Sequence, residues 1–170
     1  MPEIRDTDWA YAAGFVDGEG CIAIARAFSP VRNRFYYTIQ VVVANTDRSV
    51  LDWMKAAWGG HVVAVIQTQG DGRNSWTWRC GPGVARIFLV GVRPWLRIKH
   101  AQCDNALVML ELLLRSKRTL GPHPIPQAWL DEQEKLYWIQ RELNHRGSSA
   151  FVAKASHSPR RIHRERLMDR

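Results

Sequence analysis

The clearest pattern in the chain runs from Phe35 to Val43. Phe35, Tyr37, Ile39, Val41 and Val43 are apolar, and Arg34, Tyr36, Thr38 and Gln40 stand between them. A period of two with one wet face predicts a strand of an antiparallel sheet covered on one side only. Residues 21–28 alternate with small side chains and read as its neighbour across a turn at 29–33. Asn45, Thr46 and Asp47 then cap a helix through Trp58, with Val50, Leu51, Met54 and Trp58 on one stripe. Gly59 and Gly60 end it. Residues 61–69 and 75–80 predict two more strands joined at 70–74, the second turning Trp76 and Trp78 to the core.

Helical patterns fill the rest. Asp6, Thr7 and Asp8 offer an N-cap for a first helix that stops near Gly18. A short helix follows near 84–90, Pro94 opens the next segment, and a long helix covers 100–117 with Cys103, Leu107, Leu110 and Leu114 aligned. The 121–126 segment, with three prolines, breaks it, and a last helix runs over 127–143. The predicted order is helix–strand–strand–helix–strand–strand–helix, then further helices. The fold class is α+β, a four-stranded antiparallel, saddle-like sheet with helices on one face.

Charge adds a partner to this picture. The 170 residues carry a net charge of +8, which favours a polyanion. Residues 146–170 hold seven Lys or Arg against two acids. They read as a basic tail behind a domain over 1–145, either solubilising or touching phosphates. Cys21, Cys80 and Cys103 are scattered, without C-x-x-C or zinc spacing. No apolar run suits a membrane, and no secretion signal is visible, so an intracellular protein is expected, cytoplasmic or organellar according to its host.

The chemistry collects at the end of the first helix. Ala10, Gly14 and Gly18 fall at i, i+4 and i+8, with Ala13 beside them. Small residues in a stripe let a second backbone approach closely. Asp17 and Glu19 then alternate with Gly18 and Gly20. Acids at a helix C-terminus oppose the macrodipole, so a cation or a donor has to compensate them.

The nonamer Ala12-Ala13-Gly14-Phe15-Val16-Asp17-Gly18-Glu19-Gly20 resembles the signature of the LAGLIDADG homing endonucleases, with Ala12 where leucine is usual. Val43-Ala44-Asn45-Thr46-Asp47 resembles the family's passage from the second strand into a helix. Residues 94–102, Pro-Trp-Leu-Arg-Ile-Lys-His-Ala-Gln, resemble the segment that carries a basic active-site residue. The resemblance covers residues 7–117.

It implies a site-specific double-strand DNA endonuclease, intron-encoded, cutting a long pseudo-palindromic site with Mg²⁺ or another divalent cation. One motif in the chain implies a homodimer, with Ala10, Ala13, Gly14, Asp17 and Gly18 at the helix contact. Glu19 matches the metal-binding acid, and the Gly18 carbonyl is a candidate second ligand. Asp17 matches the earlier acid, which orders the helix end. Lys99 matches the lysine that stabilises developing charge, and Asn45 and Gln102 match positions that order water. A second basic position, filled in some members, falls near Ser49; here it is either Arg48 or vacant. The exposed strand faces offer Arg34, Tyr36, Thr38 and Gln40, then Ser75, Thr77 and Arg79, then Gln67, Gln69 and Arg73 for reading bases. The direction of Arg26 on the first strand stays open at this level. Two alternatives share the fold: an RNA-splicing maturase acting on intron RNA, and a sequence-specific DNA binder that does not cut.

Overall fold

The computed structural model describes residues 4–65, 75–118 and 125–145. Helix α1 (Asp6–Glu19) passes straight into β1 (Gly20–Ser29), which pairs with β2 (Arg34–Asn45). Helix α2 (Arg48–Trp58) leads to β3 (His61–Val65) and β4 (Ser75–Cys80). Then come α3 (Pro82–Val92), a 3₁₀ turn at Arg93–Trp95, α4 (His100–Arg118) and α5 (Gln127–Leu143). The strands form one antiparallel sheet in the order β1-β2-β4-β3.

The alternation that opens the sequence decides which side of the sheet is covered. Tyr37, Ile39, Val41 and Val43 are buried on β2, with Ile22 and Ile24 of β1 beside Val41 and Ile39. Helices pack on that side. One helix end differs from expectation. The N-cap of α1 is Arg5, because the Asp8 carboxylate reaches back to the Arg5 backbone N–H and pulls Asp6 and Thr7 into the first turn. At α2 the cap is Asp47, whose carboxylate accepts from the Ser49 N–H at 2.8 Å and is held below the usual carboxylate range by the Ser49 hydroxyl and that N–H.

Gly59 and Gly60 leave α2 with φ of 86° and 89°, a left-handed pair only glycine adopts freely. The turn brings the Gly59 carbonyl to 2.8 Å from the Trp78 indole N–H. Trp78 is fully buried and faces Phe88 at 5.1 Å; Phe88 meets Trp58 at 5.2 Å, and Trp58 meets Trp9 at 5.1 Å. This aromatic column ties β4, α3, α2 and α1 together. Each such ring adds about 0.5–1.5 kcal/mol per pair beyond its area.

Between α4 and α5 the packing is polar. Asn105 donates to the Leu136 carbonyl at 2.9 Å and to Gln140 Oε1 at 2.8 Å. The Gln140 amide in turn donates to the Ile22 carbonyl on β1 at 2.7 Å, with Asn144 on the same carbonyl at 2.8 Å. An edge-strand carbonyl beneath a helix has no ladder partner, and these amides supply one.

Trp9 lies flat on α3 because Gly91 has no side chain. A Cβ there would stand 2.4 Å from the Trp9 ring. Gly91→Ala should therefore displace the ring and lower stability by about 1–3 kcal/mol, seen as a lower urea midpoint with an unchanged slope; an unshifted midpoint would mean that α1 does not dock here.

Candidate functional site

The end of α1 is locked by a reciprocal clasp. Asp17 is buried, and its carboxylate accepts three backbone N–H groups: Arg97 at 2.6 Å, Ile98 at 3.2 Å and Lys99 at 2.9 Å. Those amides lead into α4, whose Cys103 N–H bonds to the Lys99 carbonyl at 3.0 Å. Asp17 thus caps a different helix from the one that carries it. Lys99, also buried, returns the contact: its ammonium donates to the Val16 carbonyl at 2.8 Å and to that of Asp17. A cation on the last carbonyls of α1 is what the macrodipole favours.

The chain then turns within one residue. A Cβ on Gly20 would stand 2.6 Å from Val16 Cα, so glycine is required there by contact rather than by φ. Glu19, just before it, is exposed, and no hydrogen bond or ion pair engages its carboxylate among the described residues.

The other expected site residues gather at the same end of the molecule. Gly20 is paired with Val43, which places Asn45 beside the start of β1. Asn45 Oδ1 accepts from the Asp47 N–H at 2.8 Å and so shapes the turn into α2. Gln102 donates to the Leu143 carbonyl at 2.9 Å and joins α4 to the end of α5. Arg48 lies over Trp76 at 4.5 Å and pairs with Asp52 at 3.0 Å, so its guanidinium is engaged at the α2 corner.

The uncovered side of the sheet reads in rows across the strands. Arg34, Tyr36, Thr38 and Gln40 of β2 stand on it, opposite Ser29, Ala27, Ala25 and Ala23 of β1. Further along, Cys21, Val42, Arg79 and His61 form one row, Ala44, Thr77 and Val63 the next, and Ser75 and Val65 the last. Thr77 faces the expected way yet is only 4% exposed. On an inner strand it is closed in by its cross-strand neighbours, so it is not a long reader of bases. His61, Val63 and Val65 were not anticipated on this side. The period-two pattern already placed them in phase with Arg79, Thr77 and Ser75. Gln67, Gln69, Arg73 and the basic tail lie outside the described residues.

Arg26 points inward. The β1–β2 register runs without a bulge, which puts Arg26 on the core side opposite Tyr37. Its guanidinium lies 4.5 Å from the Phe35 ring and 4.7 Å from that of Tyr137, with Glu134 at 3.8 Å. Burial, with Glu134 adding to it, pushes the Tyr37 phenol up to about 12.

No family profile matches the sequence, and no curated protein sequence does. Solved structures do. The homing endonuclease I-CvuI in complex with its target aligns with a TM-score of 0.66 and 20% identity, over 85% of this chain and 85% of that one. The archaeal intron-encoded homing endonuclease I-Vdi141I, complexed with DNA, gives 0.65 and 16% identity over 84% and 87%. The LAGLIDADG homing endonuclease I-SmaMI, bound to cleaved DNA, gives 0.61 and 15% over 85% of this chain and 48% of that one. The fold is that of the LAGLIDADG homing endonucleases.

In the LAGLIDADG frame, α1 is the motif helix and its outer side is open. Gly14 and Gly18 are exposed, and a Cβ on either would meet nothing within 4 Å. Ala10 is half-buried. Ala13 and Asp17, expected at a helix–helix contact, are instead turned into the protomer, at 0% and 8% exposure. They lie on the side of α1 that faces the sheet, α3 and the 3₁₀ turn with the segment after it, so a second copy has no access to them. The open side carries Tyr11 in their place, 55% exposed, edge-on to Phe15 at 5.1 Å and to Trp53 at 5.4 Å. The signal for Tyr11 was in the sequence, as an aromatic three residues before Gly14 and four before Phe15 on the helix side that carries the glycines.

Among the described residues no three His, Cys, Asp or Glu side chains cluster as a metal site. Glu19 and the Gly18 carbonyl are hard oxygen donors with no sulfur or nitrogen near them in the sequence pattern except Cys21. They suit Mg²⁺ as part of a ligand set that other oxygens complete.

The clasp should be the most sensitive polar element of the fold. Asp17→Ala leaves three N–H groups without their acceptor and should cost about 3 kcal/mol, and Lys99→Met should cost about 2 kcal/mol. Because the two are coupled, the double variant should lose less than the two single losses combined; strict additivity in urea unfolding would show that they act separately.

Proposed function

We propose that the chain is a site-specific DNA endonuclease that works as a homodimer and needs a divalent cation. The observation that carries this reading is an exposed carboxylate, unengaged among the described residues, at the tip of a helix whose outer side those residues leave apolar and open, on a fold shared with DNA-bound homing endonucleases. A carboxylate alone on a protein surface is ordinary. One fixed by a buried clasp two residues before it, beside a sheet that offers a polar uncovered side, is not.

Two strands of DNA have to be cut, and one copy supplies one such acid. A second copy related by a two-fold axis through Gly14 and Gly18 brings another. The 48% match to I-SmaMI supports this, since this chain corresponds to about half of that protein. Tyr11 and Phe15 would widen the contact on either side of the glycines.

In this reading Glu19 and the Gly18 carbonyl hold the cation. When bound, the ion neutralises phosphate charge and lowers the pKa of a water. Lys99 keeps the helix end electrically balanced, so the carboxylate can approach phosphate without a net repulsive dipole behind it. Asn45 and Gln102 order the turn and the helix junction that flank the cutting position. Arg34, Tyr36, Thr38, Gln40 and Arg79 face the major groove, which admits a β-ribbon.

Gly14→Leu should abolish assembly by holding the helices apart. Sedimentation would then show a monomer where the parent protein is a dimer; a monomeric parent at micromolar concentration, with and without DNA, would end the dimer reading. Glu19→Gln should still bind its site and lose Mg²⁺-dependent cleavage by orders of magnitude under saturated binding. Cleavage at the parental rate would reduce Glu19 to a helix terminus.

A further inference from the structure

The uncovered side of the sheet is not uniformly polar. Val42 and Ala44 of β2 adjoin Thr77 of β4, and Val63 and Val65 of β3 flank it. Val63 is 41% exposed and Val65 37%. Val42, Ala44, Val63 and Val65 make an apolar surface around Thr77, which is closed in between them, and among the described residues no element covers it. Arg79, in the row of Val42, borders it on one side.

The sheet's other long reading strand is different in kind. From Gln40 outward, β2 presents Gln40, Thr38, Tyr36 and Arg34, while β1 opposite them presents only Ala23, Ala25, Ala27 and Ser29. Along β2, hydrogen-bonding side chains are therefore concentrated away from the α1 tip and apolar ones near it, while Arg79 and His61 of the neighbouring strands border the apolar end. Residues two apart on a strand are about 7 Å apart, or roughly two base-pair steps.

We infer that the patch formed by Val42, Ala44, Val63 and Val65 reads thymine methyl groups in the half-site. The inference rests on the endonuclease reading above and goes beyond it by naming the base chemistry. Duplex DNA is the occupant because the patch is continuous with the arginine- and glutamine-bearing rows and the chain is strongly basic. In the major groove the only apolar feature on a base edge is the thymine C5 methyl, so an apolar surface there has one complement. An exposed apolar patch is a poor neighbour for water and a good one for those methyls.

The test begins by selecting bound duplexes from a randomised pool in metal-free buffer. Thymines are expected at positions of each half-site near the two-fold axis. Replacing them with uracil removes the methyl and nothing else. Affinity should fall about fourfold for each methyl lost, the value of one buried carbon, while the same exchange at the outer positions changes little. The double variant Val63→Thr, Val65→Thr keeps β-branched side chains on the strand. It should bind the thymine site more weakly and distinguish uracil less, with its affinity for unrelated DNA unchanged. A selected sequence bound equally well with uracil overturns the inference and leaves the endonuclease reading standing. A pool that yields no preferred sequence overturns both.

Discussion

Two helix ends of opposite sign meet at Asp17 and Lys99, and the arrangement of this end of the molecule depends on that meeting. The C-terminus of α1 carries partial negative charge and the entry to α4 partial positive charge. Each residue reaches across to the other helix: the carboxylate to the amides of 97–99, the ammonium to the carbonyls of Val16 and Asp17. Residues some eighty positions apart are thereby held as one unit. Without it α1 would end in two acids at the wrong pole of its dipole. With it, one acid is consumed in structure and the next, Glu19, is left outside.

That division of labour is why α1 has such uneven sides. The face bearing Ala12, Ala13, Val16 and Asp17 is buried against the protomer's own core. The face bearing Gly14 and Gly18 is bare. A helix read only by its composition looks apolar all round, and its sides are told apart by what packs on each.

Much of the architecture was legible from the sequence. The alternation from Phe35 to Val43 fixed which side of β2 is buried, and the span 127–143 proposed for the last helix is the span of α5. The Arg26 direction was not legible. An arginine in phase with isoleucines looks like an error until Phe35, Tyr137 and Trp138 are seen around its guanidinium, and one of those rings is on the same sheet while two come from a helix more than a hundred residues away. Ala13 and Asp17, expected with the stripe at a helix contact, turn inward for a related reason. Small residues permit close approach from any direction, and periodicity does not say whether the approaching backbone belongs to the same copy. Thr77 shows the limit of alternation itself: it gives the side of the sheet, while exposure on that side depends on the neighbours across two other strands. Glu19 was singled out by resemblance, and that no partner engages its carboxylate among the described residues was visible only once Asp17 had been accounted for.

The alanine lane of β1 has its own consequence. Ala23, Ala25 and Ala27 lie on the uncovered side and contribute nothing to the aromatic column or to the clasp. Stability and, in the proposed reading, recognition are therefore written on opposite faces of the same strands. Longer side chains in place of those alanines would change what that face can touch while leaving the folding free energy almost constant, so if the sheet reads DNA as proposed, the blank face of β1 is where retargeting meets the least resistance.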